Sequence, residues 1–266
     1  MRILVVGMGL IGGSICKSIK AATSHAVYGC DVQQAVLDDA IADGAIDGTG
    51  TMTDGTYDMI ILCLHQRIAI QMVQEALPKI PAGTILVDTC GLKGRMVRDL
   101  TYRCRKADVR YVGTHPMAGR EKNGYYASIP NLFQNANLIV TPVDGTDEAA
   151  LDTVKELADQ MGFGKIVTAT PMWHDNMIAY TSQLAHVVSS SYVKDFCMDD
   201  ALSFSGGSFQ DMTRVATMDE SMWAALFLDN RDNLLYHLDL LIENLTDYRD
   251  ALKQRDEDRL QYLIAE

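Results

Sequence analysis

The chain begins with an apolar segment that runs directly into a glycine-rich turn. The pattern G-x-G-x-x-G covers residues 7–12, after the apolar residues 3–6 and before a predicted helix over residues 14–20. Glycines in this pattern permit the tight turn, the approach of the backbone to a pyrophosphate and close packing of the helix. The helix N-terminus adds free N–H groups and a partial positive charge. We therefore predict a dinucleotide site with these binding residues: Gly7, Gly9, Leu10, Ile11 and Gly12.

Asp31 ends the second predicted strand, over residues 26–30. An acidic side chain at this point can accept hydrogen bonds from both hydroxyls of the adenosine ribose, and it repels a 2′-phosphate. No arginine occurs among Val32, Gln33 and Gln34, which follow it. The residues thus favour NAD over NADP as the cofactor. The alternative is a solvated aspartate that caps the next helix.

Short apolar segments alternate with helical segments over the first two thirds of the chain. The predicted strands are residues 3–6, 26–30, 59–64, 84–87, 109–112 and 138–140. Apolar strands separated by helices indicate a parallel sheet that is covered on both faces. A helix over residues 147–161 and a last strand over 165–168 complete the pattern. We predict an α/β domain of the Rossmann type, doubly wound around a mainly parallel sheet, over residues 1–169.

The strand pattern stops at Pro171, and residues 170–266 are predicted to form an all-helical second domain. Helices are expected over about 171–195 and 230–252, with a glycine-containing loop over 203–210. The long helix carries an apolar seam formed by Leu234, Leu238, Leu241, Leu245, Tyr248 and Leu252. Its spacing is close to the 3.5-residue period of a coiled coil, so another helix must cover it. The seam packs either within its own domain or against a second subunit.

Charge and cysteine content exclude several classes of protein. The chain has 23 Lys and Arg against 35 Asp and Glu, a net charge of −12, which argues against an electrostatic nucleic-acid binder. An anionic ligand then needs local cations or backbone N–H groups. The six cysteines form no C-x-x-C pair and no zinc-like spacing, so we expect reduced thiols, no metal and a cytoplasmic protein. No apolar stretch is long enough to predict a membrane span.

Three side chains are candidates for chemistry. His115 lies just after the predicted strand over 109–112, at a carboxyl end where ligands of open α/β sheets bind, and it suits a proton acceptor. His186 is either a ligand-binding or a satisfied core histidine. Arg214, near a glycine-rich loop, is a natural carboxylate anchor. Its alternative is a helix-terminal arginine paired with an acidic neighbour.

Four motifs in order resemble the prephenate dehydrogenase family, including its arogenate-using members, over residues 1 to about 231. They are Gly-x-Gly-Leu-Ile-Gly-Gly-Ser at 7–14, His-Pro-Met-Ala-Gly at 115–119, His-Asp at 174–175 with Ser182 and His186, and Thr-Arg-Val-Ala at 213–216. The resemblance implies a Rossmann domain joined to an all-α dimerisation domain, and hence a homodimer. It also implies the NAD-dependent oxidative decarboxylation of prephenate to 4-hydroxyphenylpyruvate, a step toward tyrosine.

The same resemblance implies the roles of individual residues. His115 accepts the proton of the ring hydroxyl as the catalytic base, and Arg214 binds one of the substrate carboxylates. The substrate-binding residues expected from the resemblance are Arg214, His186, Glu121, Trp223 and Gly207. The choice between prephenate and arogenate stays open.

One position departs from the family pattern. Many members carry a serine in a Gly-Ser-x-Lys turn after the fifth strand, where this chain has Asp88-Thr89-Cys90-Gly91-Leu92-Lys93. Leu92 cannot form a hydrogen bond to the substrate hydroxyl. Either His115 acts with a water or a neighbouring hydroxyl such as that of Thr89, or the polarity of the site differs from the common pattern.

Two other functions are compatible with an NAD-binding domain of this kind. A β-hydroxyacid dehydrogenase or imine reductase shares the two-domain plan, but such hydroxyacid dehydrogenases place a catalytic lysine where this chain has residues 174–177, His-Asp-Asn-Met. A non-enzymatic NAD-binding sensor is the other alternative. The joint presence of His115, His186 and Arg214 argues against it.

Overall fold

The computed structural model describes residues 1–120 and 122–266. The chain divides into two compact units, Met1–His174 and Asp175–Glu266. The boundary expected from the sequence, after residue 169, lies just before this division.

The first unit is an α/β structure. Its strands are β1 (Arg2–Val6), β2 (Ala26–Cys30), β3 (Gly48–Thr49), β4 (Met59–Leu62), β5 (Ile85–Asp88), β6 (Arg110–Pro116), β7 (Asn137–Val140) and β8 (Lys165–Thr168). Its helices are α1 (Leu10–Ala22), α2 (Gln34–Ala42), α3 (Gln66–Ala76), α4 (Gly94–Lys106) and α5 (Glu148–Gln160). Short 3₁₀ turns occupy Leu77–Lys79 and Tyr125–Ala127.

The strands form one sheet in the order β3-β2-β1-β4-β5-β6-β7-β8. From β3 to β6 the neighbouring strands are parallel, β7 runs antiparallel to β6, and β8 is parallel to β7. The predicted Rossmann-type, mainly parallel sheet is confirmed. The strand order reverses between β1 and β4, and ligands of such sheets bind beyond the carboxyl ends at this point.

The core consists of two apolar layers on opposite faces of the sheet. Alternate residues of β1 point to opposite sides, as the pleat requires. Ile3 and Val5 belong to one buried cluster with residues of α1 and α5, whereas Leu4 and Val6 belong to another with residues of α3 and α4. This double coverage is the reason that the strands are continuous apolar runs in the sequence.

The second unit is helical. The division between the units falls within α6 (Pro171–Ile178). The segments after α6 are a π-helical turn (Ala179–Gln183), α7 (Leu184–Tyr192), α8 (Met198–Ala201), a 3₁₀ turn (Leu202–Phe204), α9 (Gly207–Thr213), α10 (Glu220–Asp229), α11 (Arg231–Gln254) and α12 (Glu257–Ala265). The predicted loop over 203–210 is wrong from Gly207 onward. Gly206 is the extended N-cap residue of α9, and glycine is well tolerated at a helix start, so the glycine pair begins a helix there.

The apolar seam of α11 is covered only in its first part. Leu234 is buried in a cluster with Ala179 and Leu184, and Leu238 and Leu241 pack against that cluster. Further along, Leu245 and Leu252 are 58% and 62% exposed. Packing within the unit therefore accounts for the start of the seam but not for its end.

None of the helices in the described part of the chain combines the length and apolar character that crossing a bilayer requires.

A buried ion pair joins the end of β5 to β6. Lys93 and Asp88 are both 0% exposed, and the Lys93 ammonium donates to the Asp88 carboxylate and, at 2.6 Å, to the Thr114 carbonyl. The Tyr111 hydroxyl donates to the other Asp88 oxygen at 2.6 Å. Burial, followed by the Asp88 charge, raises the pKa of Tyr111 far above its usual value, so this hydroxyl stays a neutral donor.

We expect the loss of one partner to be costly, because it leaves the other charge buried without compensation. Lys93→Met should lower the free energy of unfolding by about 3–5 kcal/mol. Tyr111→Phe removes a single hydrogen bond to the same carboxylate and should cost only about 1–3 kcal/mol. Urea denaturation at pH 7 measures both values.

The double variant Asp88→Asn/Lys93→Met removes both charges and is the control. It should recover part of the stability lost in Lys93→Met. A Lys93→Met variant that unfolds at the wild-type urea concentration would contradict the assigned role of the pair.

Candidate functional site

The glycine-rich turn between β1 and α1 has a geometry that excludes side chains. Gly7 has φ +93°, and a Cβ there would lie 2.4 Å from the Cys63 carbonyl oxygen. A Cβ on Gly12 would lie 1.8 Å from the Gly7 carbonyl oxygen. For Gly9, no heavy atom of the described residues outside its own surroundings lies within 4 Å of the Cβ position. The backbone at Gly9 is therefore open to a ligand, while Leu10 and Ile11 begin α1.

The Asp31 carboxylate is fixed beside this turn. The Met8 N–H donates to Oδ2 at 2.7 Å, and the Gln33 N–H donates to Oδ1 at 2.9 Å. Each carboxylate oxygen keeps a lone pair for a further donor, such as a ribose hydroxyl. The carboxylate thus orders the segment before α2, although the N-cap residue of that helix is Gln33 and not Asp31, and it remains able to bind a ligand.

The carboxyl ends of the parallel strands bring the candidate residues into one row. In the order of the sheet, these ends carry Asp31 after β2, the glycine-rich turn after β1, the loop of residues 89–93 after β5, and His115 at the end of β6. Neighbouring strands are about 4.8 Å apart, so β1 and β6 are separated by roughly 14 Å. An extended dinucleotide can span this distance, with its reactive ring near His115.

His115 is paired with a second histidine. Its Nδ1 atom lies 2.9 Å from Nε2 of His174, and the two rings meet edge to face with centroids 5.1 Å apart. Burial lowers the pKa of His115 well below its usual value, and the charges of His174 and then Lys93 lower it further. His115 is consequently neutral at pH 7 and can accept a proton.

The second nitrogen of His115 faces the loop that follows β5. A Cβ on Gly91 would lie 3.9 Å from His115 Nε2, so this nitrogen is adjacent to the loop. Leu92 is 2% exposed, and the Thr89 hydroxyl donates to the Leu62 carbonyl at 3.1 Å. The structure therefore gives His115 a histidine partner where the sequence suggested a hydroxyl or a water.

Two predicted substrate residues meet in the second unit. The His186 ring on α7 stacks on the Trp223 ring of α10, with centroids 3.8 Å apart and planes at 29°. His186 Nδ1 lies 2.9 Å from the Ser182 carbonyl oxygen, which can only accept, so Nδ1 carries the hydrogen. The other nitrogen, Nε2, then has its lone pair available for a donor.

The remaining predicted substrate residues lie at the two ends of α9 or outside the described residues. Gly207 is the first residue of α9, and Arg214 is its C-cap residue with an exposed side chain. The helix-terminal location of Arg214 matches the alternative that the sequence left open. Glu121 lies outside the described residues. The roles of these residues toward a substrate stay predictions.

The partner of His115 was missed by the sequence analysis as a site residue. His174 had been noted only as part of the His-Asp motif at the start of the helical region. Its pairing joins a strand end to a helix 59 residues later, which no local pattern predicts.

Both halves of the chain match family models. Residues 15–168 match prephenate dehydrogenase, nucleotide-binding domain, and residues 170–266 match prephenate dehydrogenase, dimerization domain. A prephenate dehydrogenase from Bacillus subtilis is 29% identical over 97% of this chain and 72% of its own length. A cyclohexadienyl dehydrogenase from Zymomonas mobilis is 31% identical over 97% of this chain and 91% of its own length.

A solved structure is similar over the whole chain. The crystal structure of prephenate dehydrogenase from A. aeolicus in complex with hydroxyphenyl propionate and NAD+ has a TM-score of 0.86 and 28% identity. The match covers 100% of this chain and 95% of that one.

The fixed Asp31 carboxylate should set the preference between NAD and NADP. A 2′-phosphate beside it places two anions a few ångströms apart, which is unfavourable. We expect the wild-type protein to use NAD selectively and Asp31→Ser to accept NADP more readily. The ratio of kcat/KM values for the two cofactors measures the change. Asp38→Asn removes an equal charge from the exposed face of α2 and should leave the ratio unaltered. Equal use of both cofactors by the wild type would show that Asp31 has been misinterpreted.

Proposed function

The chain belongs to the prephenate dehydrogenase family, and from this premise we propose that it catalyses the NAD-dependent oxidative decarboxylation of prephenate to 4-hydroxyphenylpyruvate. The family resemblance predicted from the motifs is confirmed. The observation that carries the proposal is the location of His115 in the same row of strand ends as the glycine-rich turn and Asp31.

The geometry of the predicted cofactor residues supports their assignment to NAD. The open backbone at Gly9 and the N-terminus of α1 suit the pyrophosphate, and Asp31 suits the hydroxyls of the adenosine ribose. When bound, NAD supplies the acceptor for the hydride from ring C4 of the substrate.

The reaction needs a base that takes a proton and later returns it. His115 Nε2 takes the proton of the C4 hydroxyl while the C4–H electron pair leaves as hydride, and the O–H electron pair completes a carbonyl. The bond to the ring carboxylate then breaks, carbon dioxide leaves, and its electron pair makes the ring aromatic. The former hydroxyl oxygen becomes a phenolate, which recovers the proton from His115. Aromatisation makes the sequence strongly downhill.

An acidic protein needs a dedicated cation to bind a substrate with two carboxylates. We assign this role to Arg214, whose planar guanidinium can donate two parallel hydrogen bonds to one carboxylate. Lys93 is a poor alternative because its ammonium is bound to Asp88. His186, Trp223, Gly207 and Glu121 are assigned to substrate binding on the family resemblance.

Arogenate is the second candidate substrate. It has the same cyclohexadienyl ring with an amino acid side chain, and a relative with 31% identity is named a cyclohexadienyl dehydrogenase. The hydride and proton transfers at the ring are identical for both substrates. The difference lies in the side chain and therefore in binding.

The assay that tests the function follows NADH absorbance with prephenate and, in parallel, with arogenate. The wild type should reduce NAD with one or both. His115→Asn removes the base, and its kcat should fall about 10² to 10⁴-fold with little change in KM. Arg214→Gln removes a charge-assisted contact and should raise KM by about tenfold or more. Because His115 has a lowered pKa, the acidic limb of wild-type kcat/KM should lie below pH 6.5.

His25→Asn is the matched control, since His25 precedes β2 at the opposite end of the strands. It should have wild-type kinetics. A His115→Asn variant with near-normal turnover and the same acidic limb would place the base elsewhere, with His186 as the first residue to test. A wild type inactive with both substrates would refute the proposed function.

We further propose that the chain forms a homodimer through α11. Residues 170–266 match a dimerization domain, and the last part of the α11 seam is exposed. Other exposed apolar residues of the same helix are Leu235, Tyr236, Leu240 and Ile242. An isolated chain would leave this large apolar surface in water.

Light scattering should give about twice the 29.3 kDa mass of one chain at micromolar concentration. The double variant Leu245→Lys/Leu252→Lys places charges on the exposed part of the seam and should shift the protein toward the monomer. Ile68→Lys alters an equally exposed apolar residue on α3 and is the control. A stable wild-type monomer would show that the exposed end of the seam is not a subunit interface.

A further inference from the structure

His174 is a buried histidine with no assigned role in the proposed reaction. It is 1% exposed and lies on α6, where its backbone N–H donates to the Thr170 carbonyl. Its Nε2 atom is within hydrogen-bond distance of His115 Nδ1, at 2.9 Å. Two nitrogens at this distance share one hydrogen, so the protonation of each ring depends on the other.

The chemistry of the base decides which ring donates. Nδ1 of His115 faces His174, so its Nε2 is the nitrogen available to a substrate hydroxyl. A neutral imidazole accepts a proton at Nε2 only if its hydrogen is on Nδ1. Nδ1–H must then donate, and the acceptor is Nε2 of His174. This arrangement requires His174 to be neutral with its own hydrogen on Nδ1.

The polar groups on the other elements around His115 already have partners. The Lys93 ammonium is bound to Asp88 and to the Thr114 carbonyl. The Asp88 carboxylate accepts from Lys93, from the Tyr111 hydroxyl and from the Cys90 N–H. In the loop after β5, the Thr89 hydroxyl is bound to the Leu62 carbonyl, and Leu92 is buried and apolar. Within the described part of this surrounding, His174 is the group that provides an acceptor for His115 Nδ1–H.

We propose that His174 is a positioning residue for the base: its Nε2 accepts the Nδ1–H of His115 and holds His115 Nε2 unprotonated and oriented toward the substrate hydroxyl. The catalytic effect of this hydrogen bond rests on the function proposed above. The hydrogen bond itself does not depend on a substrate.

The pair also responds to the proton that it receives. When His115 Nε2 accepts the hydroxyl proton, the Nδ1–H to His174 bond becomes charge-assisted and stronger. Two positive rings at this distance repel, so the two rings together carry at most one positive charge. Lys93 is a further cation near the pair, and its charge is partly offset by Asp88.

Two substitutions of His174 separate positioning from simple packing. His174→Leu fills space but removes the acceptor, and kcat should fall about 10- to 100-fold with KM nearly unchanged. The amide oxygen of His174→Gln can reach the location of Nε2 and accept the same hydrogen bond. It should restore kcat to within about fivefold of the wild type.

The pH profile gives a second readout. The bond to a neutral His174 stabilises protonated His115, because it is then charge-assisted. His174→Leu removes this acceptor, so the pKa of His115 should fall further and the acidic limb of kcat/KM should move to lower pH, whereas His174→Gln keeps an acceptor and should leave the limb near its wild-type position. A merely structural role would lower kcat in both variants without moving this limb.

Nitrogen NMR of the free protein tests the hydrogen bond without any substrate. The chain has six histidines, so single substitutions suffice to assign the ring signals. Wild-type His115 should be the Nδ1–H tautomer, and His174→Leu should convert it to a mixture. His25→Gln is the control and should leave the His115 signals unaltered.

The proposal is overturned if wild-type His115 carries its hydrogen on Nε2. It is also overturned if His174→Leu keeps kcat within twofold of the wild type, or if His174→Gln is as slow as His174→Leu while both are folded. Failure of the proposed function gives a different result, namely that the wild type reduces NAD with neither substrate. The tautomer of His115 can still be measured in that case, so the hydrogen bond to His174 is tested separately.

Discussion

The buried Lys93–Asp88 pair is the interaction on which the candidate site depends. It fixes the loop after β5 against β6, because Lys93 also donates to the Thr114 carbonyl beside His115. A charge pair at 0% exposure is stable only when its remaining hydrogen-bonding groups are satisfied, and here Tyr111 and the Cys90 N–H satisfy the carboxylate. The same ammonium disfavours a second positive charge on His115. One buried cation therefore contributes both to the geometry and to the protonation state of the base.

The fold could be predicted where a residue pattern reports burial. Buried strands are apolar runs, and the bounds predicted for β2 and β8 are those of the structure. The two-residue strand β3, Gly48–Thr49, has no apolar run and gave no signal. The antiparallel direction of β7 was not predicted either, since a buried strand has the same pattern in both directions. The start of α9 was missed because a glycine pair is common both in loops and at helix starts.

Candidate site residues could be proposed from the sequence where a local pattern or a fixed distance along the chain marks them. The glycine-rich turn follows from its position between a strand and a helix, and Asp31 follows from its distance along the chain. His115 could be proposed because it follows a strand. The contact with His174 requires the sheet order and the placement of α6, which are tertiary facts. The leucine at position 92 indicated a departure from the common polarity of the site, but it gave no indication of a histidine partner for His115.

A base with a lowered pKa is suited to this chemistry for a thermodynamic reason. Such a base is a weaker proton acceptor, and the proton transfer from an alcohol is correspondingly less favourable. In the proposed reaction, loss of carbon dioxide and aromatisation follow and make the overall sequence downhill, so a strong base is not required. What the site does require is a base that is unprotonated before the substrate arrives and that releases its proton to the phenolate afterwards. Burial and the charge of Lys93 favour the neutral form of His115, and they favour it both before and after turnover.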